Sequence, residues 1–88
     1  MSQVSTETPE QILGREPAAL ERQALGDNFI PFHRIGDYVE GNHETGNGEI
    51  DAIVLFKIPN QGYVWACRFK GGTDYYPQDY LKKVAKPV

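Results

Sequence analysis

The run EIDAIVLFKIPNQGYVWACRFKGGTDYY, from Glu49 to Tyr76, holds two long apolar stretches and two turns, and its reading decides the fold. In the first stretch, Glu49 to Ile58, Ile50, Ala52 and Val54 alternate with Asp51, Ile53 and Leu55. In the second, Tyr63, Trp65, Cys67 and Phe69 share one side while Val64, Ala66 and Arg68 take the other. A period of two with β-branched and aromatic residues predicts strands. Pro59-Asn60-Gln61-Gly62 between them has the chemistry of a tight turn, and Lys70-Gly71-Gly72-Thr73 supplies glycines for the positive φ angles of a hairpin. Both strands are apolar on both faces, so the second face needs a cover. The candidates are the N-terminal segment, a second subunit, or a partner at an exposed patch.

Working outward, Gly36 to Glu40 reads as a strand ahead of the polar loop Gly41 to Gly48. After the hairpin, Thr73 to Tyr76 is a further strand, Pro77-Gln78-Asp79-Tyr80 one helical turn, and Leu81 to Val84 a last short strand. Short strands separated by turn signals predict an all-β domain, a single five-stranded antiparallel barrel over residues 29–88, its body running from Phe32 to Val84. A chain of 88 residues with 40% hydrophobic and 24% charged content has room for one such domain.

Residues 1–28 have no aromatic and form a leader, either partly helical or disordered. Two helix starts are visible. Thr8 stands as N-cap before Pro9 with Gln11 at the box position, and a second segment runs from Glu16-Pro17 through Leu25 to a stop at Gly26. Leu20, Ala24 and Leu25 give the second a narrow apolar stripe.

The net charge of -3 resides in the leader, because the acids and bases balance from residue 29 onward. That balance argues against nucleic acid as the principal partner, since phosphate binding rests on an excess of Lys and Arg. A lone cysteine, Cys67, allows no internal disulfide, and alternation beside Trp65 and Phe69 marks it as a buried thiol. No stretch reaches the roughly 20 apolar residues of a membrane helix. The N-terminus lacks the basic start and apolar run of a signal peptide, so the expectation is a cytoplasmic protein without a membrane partner.

The order Gly36-Asp37-x-Val39, loop, long strand, turn, strand, Gly-Gly hairpin, Tyr76-Pro77-x-x-x-Leu81 and short strand resembles the SH3-like and Tudor-like small barrels over about 55 residues. Within these, Asn28-Phe29, Gly36-Asp37, Gly62-Tyr63 and the Tyr76-Pro77 to Leu81 ending are similar to the plasmid-borne, trimethoprim-insensitive type II dihydrofolate reductases. That resemblance implies a tetramer of barrels around a pore and an origin on a mobile element or phage. It does not extend to the catalytic run. The family's pore-lining Val-Gln-Ile-Tyr is replaced by Thr73-Asp74-Tyr75-Tyr76, and its pore lysine falls at Gly41. An architectural relative without that cofactor chemistry is the implication, with Asp74 adding charge of the wrong sign for anionic ligands.

The candidate ligand-binding residues are Tyr38, Trp65, Asp74, Tyr75, Tyr76 and Tyr80. Aromatic-lined grooves stack on proline and cations, and Asp74 and Asp79 favour a cationic ligand. Against this, Tyr63, Trp65 and Phe69 read more readily as the core of a small domain. Arg68, Lys70, Lys82 and Lys83 form a candidate basic edge for single-stranded nucleic acid, or are isolated surface charges. His33, His43, Glu44 and Asp37 match no closed metal site, and no catalytic constellation is readable. The expected function is a non-enzymatic interaction module without cofactor or metal, self-associating as a dimer or tetramer, that binds a protein or peptide. The alternatives are a reductase-like oligomer with a changed pore and a nucleic-acid binder.

Overall fold

A computed structural model describes residues 7–86, so the outer ends of the expected 1–28 leader and 29–88 body lie outside the described residues. Five strands form one antiparallel sheet: β1 (Tyr38–Glu40), β2 (Asn47–Ile58), β3 (Gly62–Phe69), β4 (Tyr75–Pro77) and β5 (Lys82–Lys83). Their order is β4-β3-β2-β1-β5, and a 3₁₀ turn at Gln78–Tyr80 joins β4 to β5. The sheet is open in its hydrogen bonding, with β4 and β5 as the two edges. Two short helices precede it, α1 (Pro9–Leu13) and α2 (Ala19–Gly26).

β2 serves two partners. Its first residues pair with β1, Tyr38 opposite Glu49, and the remainder pairs with β3 from Ile50 opposite Phe69 to Ile58 opposite Gly62. A bulge separates the halves, because Ile50 faces Phe69 and Ala52 faces Arg68 while Asp51 has no counterpart. This corrects the simple alternation of the sequence. The extra residue shifts the phase, so Ile50 and Ile53 both point inward and are fully buried. Arg68 Nε donates to Asp51 Oδ1 at 3.0 Å and fixes the bulged residue outward. Where β2 begins, a Cβ on Gly48 would lie 2.9 Å from Phe69 Cγ, so this position admits only glycine without movement of the ring.

The inner face carries Ile50, Ile53, Trp65 and Cys67, closed by Val39 from β1, by Leu81 just ahead of β5, and by Ile12, Leu13 and Leu25 from the helices. Thr8 and Gln11 make the anticipated reciprocal cap of α1, at 3.1 and 2.9 Å, and Gly14 ends it with φ 69°. Ala18 has no capping oxygen. Glu21 instead reaches back to accept from Ala18 N at 2.9 Å.

The same Glu21 carboxylate ties the helices to the sheet. It accepts from Arg15 Nη1 and Nη2, both at 2.7 Å, and from Leu55 N at 3.1 Å, while Arg15 Nη2 also donates to Ile53 O at 2.7 Å. Two edge-facing backbone groups of β2 are thus satisfied by side chains in place of a neighbouring strand. His33 is the opposite case, buried with neither ring nitrogen hydrogen-bonded. Among the described residues its ring contact is with Phe32, at 6.3 Å edge to face.

Arg15 holds the Glu21 carboxyl below its ordinary range, ahead of the opposing effect of burial. A group with a depressed folded-state value stabilises fully above its unfolded value, about 4.3 for glutamate, and loses that contribution as pH falls through the folded one. Glu21→Ala, which strands Leu55 N–H and the Arg15 guanidinium, is expected to cost about 3 kcal/mol in urea unfolding at pH 7, with the gap to wild type closing below the glutamate range. Equal stability of the two proteins at pH 7 would contradict this role.

Candidate functional site

The six aromatic and acidic candidates do not form one surface. Trp65 is fully buried, its Nε1 donating to Phe29 O at 3.0 Å with the two rings 6.0 Å apart, so it anchors the core and lines no groove. Tyr76 also faces inward, half-buried, 5.4 Å from the Phe69 ring. Tyr38 lies half-buried on β1, opposite Glu49. Tyr75 faces the other way, with the Arg68 guanidinium 5.7 Å over its ring, and Asp74 is exposed just ahead of it. Tyr80 stands apart on the 3₁₀ turn, 65% exposed.

Tyr80 does have aromatic company, from a residue the sequence placed with the core. A cleft of about 260 Å³ runs between the β2–β3 turn and the 3₁₀ turn, walled by Ile58, Tyr63, Val64, Pro77, Asp79 and Tyr80. Asn60 at φ 67° and Gly62 at φ 90° tighten the first turn, so Tyr63 opens the strand beyond the reach of the core and is 44% exposed. Its position next to the Gly62 turn was the available signal, since strand ends overhang the packed middle. Lys57 Nζ sits 6.0 Å from its ring.

The opposite wall is held by a buried amide. Gln78 is 4% exposed and its Oε1 accepts from Phe32 N at 2.7 Å, which ties the 3₁₀ turn to the segment before β1. Leu81 buries itself one residue past the turn, and its N–H donates to Gln78 O at 3.1 Å. With Gln78 and Leu81 fixed inward, Asp79 and Tyr80 face solvent.

A second cleft, about 230 Å³, opens on the other side of Tyr63 between α2 and β2. Its lining is Leu20, Ala24, Phe29, Leu55 and Tyr63, with Gln23 and Asp27 also contributing. Leu20 is 54% exposed there.

The basic residues are largely matched by acids. Arg68 pairs with Asp51, Lys83 Nζ lies 3.5 Å from Asp37, and Lys86 Nζ 3.0 Å from Glu49, while Lys70 and Lys82 are exposed. Among the described residues there is no group of three metal-ligating side chains, and no helix is long and apolar enough to cross a membrane. No protein-family model, curated protein or solved structure matches the chain.

Burial pushes the Cys67 thiol up to about 12, with the charge of Asp37 adding to it, so little thiolate exists near neutrality. Iodoacetamide followed by mass spectrometry is expected to label Cys67 at least ~100-fold more slowly in the native protein than in denaturant. Comparable rates would show that the inner face opens readily.

Proposed function

We propose that the chain is a non-enzymatic interaction module of the SH3-like barrel kind, which takes an extended protein segment in the cleft between Tyr63 and Tyr80. The barrel reading draws support from β2, which bends at Asp51 and serves both halves of the sheet, and from β5 returning to β1 after the 3₁₀ turn. The single observation that carries the function is the pair of exposed rings flanking Pro77 and Val64, with Asp79 on the same wall. Rigid rings give large contact area for little lost side-chain entropy and stack on proline, while a carboxylate beside them selects Lys or Arg. The ligand class is therefore a proline-containing segment with a basic residue.

Trp65 is buried and makes a poor reporter, so backbone amide NMR is the suitable measurement. Titration with blocked proline-rich peptides carrying one Arg is expected to shift Gly62, Tyr63 and Tyr80. Tyr80→Ala is expected to weaken binding about 10-fold, or about 1.4 kcal/mol, and Asp79→Lys to abolish the preference for Arg over Glu in the peptide. Shifts absent from this cleft, or affinity unchanged in Tyr80→Ala, would remove the reading.

The outer face supports a second reading, that copies of the chain associate. On it the apolar residues of β2 and β3 include Phe56, 55% exposed, beside half-buried Val54 and Val64, and the helices lie on the other face. Light scattering is expected to give a dimer or tetramer that Phe56→Lys converts to monomer. A wild-type monomer at roughly 100 μM would exclude an assembly of ordinary strength.

A further inference from the structure

We propose that the distal edge of β2, together with the cleft beside α2, is a strand-addition site for an extended, cationic peptide segment. It lies on the far side of Tyr63 from the cleft discussed above and does not depend on that reading. The backbone geometry defines it. Leu55 N–H donates to Glu21 and not to Trp65, so Leu55 and Trp65 form a non-hydrogen-bonded pair, and Leu55 turns its peptide groups away from β3. With a period of two, Ile53 and Lys57 do the same. Ile53 C=O is taken by Arg15 and Leu55 N–H by Glu21. Leu55 C=O and both peptide groups of Lys57 remain directed at the same edge, and among the described residues no strand pairs there, because β1 ends its pairing at Glu49.

These three groups accept and donate in the pattern an incoming strand requires. The Arg15–Glu21 pair fixes the register, since it already fills the next two positions. A residue of the incoming strand opposite Leu55 points to the inner side, where Leu20, Ala24 and Leu55 line the adjacent cleft, so that residue is apolar. The following side chain, on the other side, meets exposed Phe56.

Charge selects the occupant. Asp27 lines the cleft and has no ion-pair partner among the described residues, whereas the Glu21 carboxylate is already neutralised by Arg15. A second copy pairing its own β2 would set Lys57 near Lys57 across a two-fold axis, the arrangement by which edge strands resist self-pairing. The geometry therefore favours a foreign strand with apolar residues at its centre and Lys or Arg at its ends.

The test uses the blocked heptapeptide acetyl-Lys-Thr-Val-Ile-Leu-Thr-Lys-amide and the full chain. Saturation is expected to slow hydrogen exchange of the Lys57 amide at least ~10-fold and to shift the methyl signals of Leu20, Ala24 and Leu55. The same peptide with alternate amides N-methylated, and the version with Glu for Lys, are both expected to bind at least ~10-fold more weakly. Leu20→Arg, on an exposed helix position, is expected to remove the methyl-cleft binding without unfolding the chain. Lys57→Pro removes the edge donor at a position where proline is tolerated, and is expected to weaken binding as well. Equal binding of the N-methylated peptide, shifts confined to Pro77 and Tyr80, no binding at all, or Lys57 protection that rises with protein concentration alone would each overturn the proposal.

Discussion

A single carboxylate joins the parts of this molecule. Glu21 caps the start of α2, holds the Arg15 guanidinium by both nitrogens, and occupies the Leu55 N–H of β2, while Arg15 takes the neighbouring Ile53 carbonyl. Each group alone would be costly to bury. Together they satisfy one another and two backbone groups of the strand edge, Ile53 C=O and Leu55 N–H. The helices can then bring Ile12, Leu13 and Leu25 onto Ile53 and Trp65, which a sheet of this size could not cover by itself. Hydrophobic burial supplies most of the stability, and the ion pair decides where the helices sit.

Much of the sheet was legible because its signals are local. The β2–β3 and β3–β4 turns, the Thr8 cap and the 3₁₀ turn at Gln78 each follow from a few adjacent residues. The bulge at Asp51 was not, because alternation through Ile50, Ala52 and Val54 reads as an uninterrupted strand and only pairing with Phe69 and Arg68 reveals the extra residue. The docking of the helices was equally hidden. Neither Arg15, in the link between the helices, nor Glu21 on α2 carries a local signal, and their partners on β2 lie 38 and 34 residues away.

Among the candidate side chains, which ones are exposed was only partly legible. Tyr80 is exposed, Trp65 and Tyr76 are packed inward, and Tyr63, which reads as core, is exposed instead. Within a strand the period of two assigns a side chain to a face, but position along the strand decides whether that face is still covered. Tyr63 and Trp65 share a face two residues apart, but the packing that buries the second leaves an open cleft beside the first.

The spacing of the Glu21 clasp also sets an order of assembly. The β2–β3 hairpin joins residues close in sequence, from Ile58 opposite Gly62 outward, so its loop closes at little entropic cost. Arg15 must find Ile53 across 38 residues. During synthesis the helical segment leaves the ribosome well before its partners on β2 exist. Its acidic, aromatic-free composition suits that interval, because an unpaired segment with few large apolar groups has little with which to form wrong contacts. By sequence separation, the clasp carries the larger loop-closure cost and the hairpin the smaller.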